Sequence, residues 1–157
     1  MCHATRLQLF LPSEDATDSL GGLLAGHLVP GDTLLLTGPI GAGKSHLSRA
    51  IIRARLHRME DVPSPTFTLV QTYEDAAGDV WHADLYRLSH PDEVMELGLE
   101  EAMSTAICLI EWPDRLGRYL PQNAIHLTLT PEAEGRRAAF AFDGRPALEK
   151  ALHDPAL

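Results

Sequence analysis

Apolar and polar residues follow patterns along this chain that predict a mixture of strands and helices. Alternation of apolar and polar positions indicates half-buried strands, continuous apolar runs indicate buried strands, and apolar residues spaced three and four apart indicate helices. Strands are predicted at residues 6–11, 33–37, 68–73, 80–85, 106–110, 124–129 and 137–142. Helices are predicted at residues 16–27, 46 to about 57, 91–103, 116–120 and 147–152. Ser13 is positioned to cap the first of these helices.

The order of these elements favours an α/β fold. Residues 68–73 and 80–85 flank a short turn and predict a hairpin, and the last two predicted strands form a second antiparallel pair. Helical crossovers are too few for a long doubly wound sheet, so parallel strands are expected around residues 33–37, with antiparallel strands at the edge. The sequence shows no internal repeat, low-complexity block or linker, and residues 1–157 are interpreted as one domain.

A glycine-rich loop follows the apolar strand at 33–37. The segment Gly38-Pro39-Ile40-Gly41-Ala42-Gly43-Lys44-Ser45 fits the phosphate-binding pattern G-x-x-x-x-G-K-[ST]. Such a loop directs backbone N–H groups and a helix N-terminus at phosphate oxygens. Lys44 is expected to reach the outer phosphates, and the Ser45 hydroxyl to ligate Mg²⁺. Because a strand precedes the loop and a helix follows it, a chance match is disfavoured. The pattern predicts a bound nucleoside triphosphate in a three-layer, P-loop NTPase-like sandwich with a mixed, partly antiparallel sheet.

Composition and charge limit the partners. The chain has 157 residues, of which 45% are apolar and 22% charged, and its formal net charge is −9. Because no basic stripe is visible that could hold nucleic acid alone, any contact with RNA is expected only indirectly, through a partner protein. Cys2 and Cys108 show neither metal-binding spacing nor a disulfide framework, and Cys108 is expected to be a core thiol because it lies in an apolar run.

The first residues of the chain and the lengths of its apolar runs indicate the cellular compartment to expect. Residues 1–6 lack the apolar region of a signal peptide, and no apolar run approaches the length that spans a membrane. A reduced, cytoplasmic setting without a membrane partner is therefore expected.

Two carboxylates are candidates for chemistry beside the loop. Glu111 directly follows a buried apolar run, and ligands of parallel sheets gather at the carboxyl ends of strands. A role as a Mg²⁺ ligand is therefore preferred over a solvated loop carboxylate. Alternation places His82, Asp84 and Tyr86 on one face of an extended segment. Asp84 either lies by the γ-phosphate and orients water, directly or through the metal, or it simply pairs with Arg87 or ends a strand. The sequence weighs the functional and the structural interpretation equally.

Other features have simpler interpretations. His82 is interpreted as a packed or hydrogen-bonded core residue. Thr66, between prolines and an aromatic residue, is a candidate sensor of the γ-phosphate but is more simply a turn residue. Trp112 is a candidate stacking residue but is more simply a packing residue. The arginines of the helix after the loop are interpreted as a solvated face.

Four motifs occur together in one order. They are Leu36-Thr37-Gly38-Pro39-Ile40-Gly41-Ala42-Gly43-Lys44-Ser45, Ser64-Pro65-Thr66-Phe67, His82-Ala83-Asp84-Leu85-Tyr86-Arg87 and Ile110-Glu111-Trp112-Pro113. In this order and spacing the chain resembles, over nearly its whole length, the TsaE (YjeE) family. That family is the bacterial ATPase needed for threonylcarbamoyladenosine modification of tRNA. The resemblance implies a mixed-sheet P-loop fold and a slow ATPase that binds ATP and Mg²⁺.

The resemblance also implies partners. The family works with two proteins, TsaB and TsaD. TsaD transfers the threonylcarbamoyl group to adenosine at position 37 of tRNAs that read codons beginning with A. The ATPase is implied to bind the TsaB–TsaD dimer and to reset it between turnovers, without performing the transfer itself.

Roles for residues of this chain follow from the same resemblance. Ser45 and Glu111 are implied as Mg²⁺ ligands, Lys44 as a phosphate-binding residue, and Asp84 as support for hydrolysis. The positions implied at the nucleotide are Thr17, Pro39, Ile40, Gly41, Ala42, Gly43, Lys44, Ser45, His46 and Arg136.

Two further positions and two departures complete the comparison. Thr66 is implied to lie in a switch-like loop, and Trp112 in a segment that responds to nucleotide or partner. The family usually has Asp-Leu where this chain has Pro39-Ile40, and Thr where it has Ser45. A serine hydroxyl ligates Mg²⁺ as well as a threonine hydroxyl does, whereas Pro39 removes one N–H donor from the loop.

Two other functions stay open. One is a small-molecule kinase that uses Asp84 as the base for an acceptor hydroxyl, although no separate lid segment is evident. The other is a non-catalytic, nucleotide-gated interaction module. In a module of that kind, Asp84→Asn would leave function intact while Lys44→Ala abolished it.

Overall fold

The computed structural model describes residues 5–57, 62–63, 65 and 69–154. Its strands are β1 (Thr5–Leu11), β2 (Thr33–Thr37), β3 (Val70–Tyr73), β4 (Val80–Asp84), β5 (Ile107–Glu111), β6 (Ile125–Glu132) and β7 (Gly135–Phe142). Its helices are α1 (Glu14–His27), α2 (Lys44–Leu56), α3 (Glu93–Glu96), α4 (Leu99–Thr105) and α5 (Pro146–His153), with a 3₁₀ segment at Pro113–Tyr119. The predictions for Thr66 and for the start of the strand at 68–73 fall outside the described residues.

The strands form one mixed sheet of seven strands in the described part of the chain. Their order is β1-β7-β6-β2-β5-β4-β3. β2 pairs in parallel with β5 and β6, and β4 pairs in parallel with β5. β7 pairs antiparallel with β1 and β6, and β3 pairs antiparallel with β4. The predicted mixed sheet is confirmed, with parallel strands beside the loop strand and antiparallel strands toward the edges.

Helices cover both faces of this sheet. Because side chains of a strand alternate between its faces, Leu34 and Leu36 of β2 pack on one side and Leu35 on the other. The first face packs against α1, α2 and α5, and the second against α3, α4 and the 3₁₀ segment. The predicted three-layer sandwich is therefore confirmed.

Helix α1 lies directly against α2, the helix that follows the loop. The Ser13 hydroxyl accepts a hydrogen bond from the Ala16 backbone N–H at 3.2 Å, as predicted for the cap of α1. A Cβ atom added to Gly21 would lie 2.4 Å from the Ala50 Cβ, so the missing side chain allows the two helices to pack closely. This close packing fixes α2, and with it the loop, on the sheet.

The prediction of a single helix at residues 91–103 is wrong, because two short helices occupy this segment. α3 ends at Glu96 and α4 begins at Leu99, with Gly98 between them at φ +78°. Glycine adopts this left-handed conformation without a steric penalty, so the chain ends one helical segment there and changes direction before the next. The helix predicted at 116–120 begins earlier, at Pro113, and is a 3₁₀ helix.

The environment of Cys108 and the character of the helices can be compared with the sequence analysis. Cys108 is buried on β5, and burial raises the pKa of its thiol to about 12, as expected of a core cysteine. Among the described residues, no helix combines the length and the apolar character needed to cross a membrane.

Candidate functional site

The loop at 38–45 and the two candidate carboxylates meet at one edge of the sheet. The loop connects β2 to α2, Glu111 ends β5, and Asp84 ends β4. In the parallel register, Leu36 lies beside Glu111, and Glu111 lies beside Asp84. The carboxyl ends of three neighbouring parallel strands thus bring together residues that are far apart in sequence.

Ser45 and Glu111 are in direct contact. The Ser45 hydroxyl lies 3.1 Å from Glu111 Oε1 and 3.0 Å from Glu111 Oε2, and it donates to this carboxylate. Glu111 is only 2% exposed. A hydroxyl and a carboxylate that converge from two elements form a pair of oxygen ligands suited to a hard cation such as Mg²⁺.

The Lys44 side chain folds back over the loop. Its Nζ donates to the Gly38 carbonyl oxygen and lies 3.9 Å from the centroid of the Trp112 ring. Burial lowers the pKa of Lys44 below its ordinary value, while the charges of Glu111, Asp84 and Asp114 act to raise it. The ammonium group therefore lies where it can be redirected to a phosphate oxygen.

Glu111 has a second partner, which sequence reasoning missed. His82 Nε2 lies 2.7 Å from Glu111 Oε2, and the His82 side chain is fully buried. The sequence analysis interpreted His82 as a packed or hydrogen-bonded core residue, and the structure confirms the hydrogen bond. Alternation had placed His82 on the face of Asp84, which was the available signal, but its contact depends on which strand lies next to β4.

Asp84 lies at the end of β4 and lines the loop cavity. It is 6% exposed, and its Oδ1 accepts a hydrogen bond from the Tyr86 backbone N–H at 3.1 Å. Asp84 thus ends a strand, as one interpretation held, and also faces the loop, as the other required.

An aromatic pair closes one side of the cavity. The Tyr86 and Trp112 rings have centroids 4.9 Å apart and an interplanar angle of 47°. Trp112 adopts φ +60°, a left-handed conformation that is uncommon for residues other than glycine and that occurs often at functional sites. Trp112 packs, as its simpler interpretation held, but it packs on Lys44 of the loop.

Arg136 crosses from β7 to the loop. A Cβ atom added to Gly43 would lie 2.7 Å from the Arg136 guanidinium carbon, so the guanidinium lies directly against the loop backbone. Arg136 Nη1 also donates to Thr17 Oγ1 at 3.1 Å. Thr17 is fully buried and therefore reaches the loop through Arg136.

A cavity of about 510 Å³ joins these parts. Of the predicted site positions, Pro39, Ala42 and Thr17 do not line it, and the Ala42 side chain is buried in the core. Sequence reasoning did not place Arg49, Arg87 or Tyr86 at the site, although all three line it. The lining residues are Ile40, Gly41, Gly43, Lys44, Ser45, His46, Arg49, Asp84, Tyr86, Arg87, Glu111, Trp112 and Arg136.

His46 also connects the site to the neighbouring helix. Its Nε2 lies 2.8 Å from Asp18 Oδ1, a contact between α2 and α1. The position after Ser45 is therefore held at the cavity wall by α1.

The fold and the loop define the class of this protein. A strand, a glycine-rich phosphate-loop sequence and a helix, set in a mixed three-layer α/β sandwich, are the features of a P-loop NTPase-like fold. The family model described as "Threonylcarbamoyl adenosine biosynthesis protein TsaE" matches residues 11–139, and the chain belongs to the TsaE family.

Individual relatives agree with this membership. The chain is 40% identical over 129 residues to the tRNA threonylcarbamoyladenosine biosynthesis protein TsaE of Rickettsia felis, covering 82% of this chain and 75% of the relative. It is 39% identical over 137 residues to the protein of the same name from a Nostoc species, covering 84% and 83%. The crystal structure of YdiB from Bacillus subtilis superposes with a TM-score of 0.76 at 25% identity, covering 95% of each chain.

Proposed function

We propose that this protein is an ATPase that binds and hydrolyses ATP with Mg²⁺. In this proposal it supports a TsaB–TsaD complex in forming threonylcarbamoyladenosine at position 37 of tRNAs that read codons beginning with A. The observation that carries the nucleotide part is the contact of the Ser45 hydroxyl with the Glu111 carboxylate at the wall of the loop cavity. The tRNA part rests on membership of the TsaE family and on the names of the relatives.

The cavity wall provides positive charge for a polyphosphate. Lys44, Arg49, Arg87 and Arg136 line it, although the chain as a whole has a net charge of −9. The N-terminus of α2 begins at Lys44, where the backbone N–H groups of a first helical turn favour an anion. A phosphate oxygen would replace the Gly38 carbonyl as the acceptor for the Lys44 ammonium.

Ser45 and Glu111 fit the requirements of Mg²⁺. This ion is usually held by one or two protein oxygens together with substrate phosphates and waters. Among the described residues, no group of three or more His, Cys, Asp or Glu side chains is arranged to hold a metal ion, so the other ligands would come from phosphate and water. When bound, the ion would neutralise charge that develops on the outer phosphates.

Asp84 is the residue that we assign to orient the attacking water. Its carboxylate is nearly buried, lines the cavity and lies beside Glu111 in the sheet. It can accept a hydrogen bond from water and direct the water oxygen at the γ-phosphorus. A new O–P bond then forms as the bond to the ADP oxygen breaks, and the protons of the water end on the inorganic phosphate that is produced. We expect slow hydrolysis by the protein alone, raised by TsaB–TsaD, because one carboxylate is not a complete water-activating set.

Reconstitution tests the whole proposal. In an assay with TsaB, TsaD, tRNA, ATP and the threonylcarbamoyl donor, repeated turnover is expected to require this protein. Lys44→Ala is expected to abolish repeated turnover and to weaken ATP binding, because the outer phosphates lose their cation. The matched control is Lys150→Ala, on the exposed surface of α5. Modified tRNA is counted per TsaD molecule.

Two outcomes would contradict the proposal. Equal tRNA modification with Lys44→Ala and with the unchanged protein would exclude a role for the loop. A phosphorylated small molecule, formed when the protein is incubated with ATP and cell metabolites, would favour the kinase.

Glu111→Ala is expected to raise the Mg²⁺ concentration for half-maximal ATP binding by about 100-fold or more, because loss of a ligand costs at least as much as the roughly 10–100-fold typical for loss of a ligand's hydrogen-bond partner. The reason is that the variant removes a buried carboxylate that faces the Ser45 hydroxyl. A titration of Mg²⁺ at fixed fluorescent ATP analogue measures the shift. Glu100→Ala, exposed on α4, is the control. An unchanged Mg²⁺ titration for Glu111→Ala would remove Glu111 from the metal site.

A further inference from the structure

We propose that His82 is a positioning residue for the Glu111 carboxylate. Its imidazole holds that carboxylate in the orientation from which it faces the Ser45 hydroxyl and, at the proposed ATPase site, Mg²⁺. The inference rests on the proposed function for its metal, whereas the contacts among the three side chains belong to the structure itself.

The contact is short and lies away from water. His82 Nε2 is 2.7 Å from Glu111 Oε2, and the exposed fractions of the two side chains are 0% and 3%. A buried carboxylate is unfavourable unless donors satisfy its oxygens. Glu111 Oε2 faces two donors, the His82 ring and the Ser45 hydroxyl, so its orientation is defined from two sides.

The sheet explains why the imidazole reaches this position. β4 and β5 are parallel, with His82 beside Leu109 and Asp84 beside Glu111. Paired residues of neighbouring strands share a face, so His82 lies on the same face as Glu111 and two pairs earlier along the strands. The ring therefore supports the carboxylate from the interior side. His82 does not line the cavity, and a nucleotide bound there would not touch it.

The chemistry of the pair sets the direction of the hydrogen bond. An ionised carboxylate only accepts, so Nε2 carries the hydrogen and donates it to Glu111. His82 Nδ1 has no hydrogen-bond partner within the described part of the chain. The ring thus directs its polar interaction at one atom of Glu111. An apolar side chain of similar volume could fill the space that the ring occupies, but it could not replace this interaction.

Loss of this donor would matter for Lys44 as well. Among the charged groups that act on Lys44, Glu111 has the largest effect in raising its pKa, against the larger lowering by burial. A Glu111 carboxylate without His82 could turn toward the Lys44 ammonium and compete with phosphate for it. The hydrogen bond from His82 therefore favours the arrangement in which the Glu111 carboxylate contacts the Ser45 hydroxyl and the Lys44 ammonium can bind phosphate.

Three substitutions separate positioning from simple packing. His82→Leu removes the donor, His82→Gln places an amide N–H near the position of Nε2, and His82→Asn retains an amide that is too short to reach it. The measured quantity is the Mg²⁺ concentration that half-saturates binding of a fluorescent ATP analogue, with the dissociation constant in EDTA measured beside it. Val80→Ala is the matched control, because Val80 is buried on the same face of β4 without a polar contact to Glu111.

We expect His82→Leu and His82→Asn to raise the half-saturating Mg²⁺ concentration about 10–100-fold, as is typical when a partner of a metal ligand is lost. For His82→Gln, the half-saturating Mg²⁺ concentration is expected to lie within about threefold of the value for the unchanged protein. For all three variants, the dissociation constant of the ATP analogue in EDTA is expected to stay close to that of the unchanged protein. Val80→Ala is expected to lower the free energy of unfolding without moving the Mg²⁺ titration. If His82→Leu does not fold, the comparison of Gln with Asn decides the question alone.

Equal Mg²⁺ titrations for the Gln and Asn variants would overturn the positioning role, and so would an unchanged titration for a folded Leu variant. A different result concerns the proposed function itself. If the unchanged protein binds the analogue equally well in Mg²⁺ and in EDTA, the metal site is absent, and the proposed function fails before His82 is tested.

Discussion

Asp84→Asn is expected to lower the rate of ATP hydrolysis by about 10²–10⁴-fold, the range over which a positioned acid or base contributes. Asparagine keeps the shape of the side chain but presents a weaker acceptor to water. Because Asp84 takes no part in the Ser45–Glu111 hydrogen bond and belongs to β4 and not to the loop, ATP affinity is expected to change by less than about threefold. Single-turnover hydrolysis and equilibrium binding, measured on the same preparation, separate the two quantities.

Asp79→Asn provides the matched control for this change. Asp79 is exposed and immediately precedes β4, at the end of the strand opposite Asp84. The control is expected to hydrolyse ATP at the unchanged rate. If Asp84→Asn supported tRNA modification fully while Lys44→Ala abolished it, the protein would be a nucleotide-gated interaction module and not an ATPase.

Local patterns along the chain were sufficient to predict much of this site. The apolar run before Glu111 indicated a buried parallel strand, and the carboxyl ends of such strands are where ligands bind. The loop sequence between an apolar strand and a helix gave the position of Lys44 and Ser45 with correct flanking elements. The predictions of these strands and of the helix are confirmed, because each depends on one segment and on a rule about its end.

Contacts between segments could not be predicted in the same way. The bond from His82 to Glu111 requires β4 to lie next to β5, and strand order is not encoded in any single segment. Arg136 reaches Gly43 only because β7 folds back beside β6, which itself pairs with β2. The break at Gly98 was missed because a helical pattern continues on both sides of it. These features depend on which segments lie next to one another in the fold, and the composition of a segment does not determine that.

Gly38 occupies the most confined position at the start of the loop. A Cβ atom added there would lie 2.2 Å from the Leu129 carbonyl oxygen, and Gly38 has φ +149°. The obstructing atom belongs to the backbone of β6, which is paired on both sides in the sheet, so it cannot move away as the end of a flexible side chain can. The Gly38 carbonyl oxygen also accepts the Lys44 hydrogen bond, which links the backbone here to the phosphate-binding cation.

Gly38→Ala is therefore expected to lower the free energy of unfolding by about 2–6 kcal/mol, the sum of backbone strain and overpacking. Gly41→Ala is the control, because Gly41 has φ +85° but no atom within 4 Å of an added Cβ, and backbone strain alone predicts a loss of about 1–2 kcal/mol. Urea denaturation measures both losses. Since Gly38 also positions the acceptor of Lys44, its variant should bind ATP more weakly even where it is folded. Equal free energies of unfolding for the two variants would show that β6 moves to accommodate the added methyl group. In that case the close contact between Gly38 and β6 would not be what holds the loop in place.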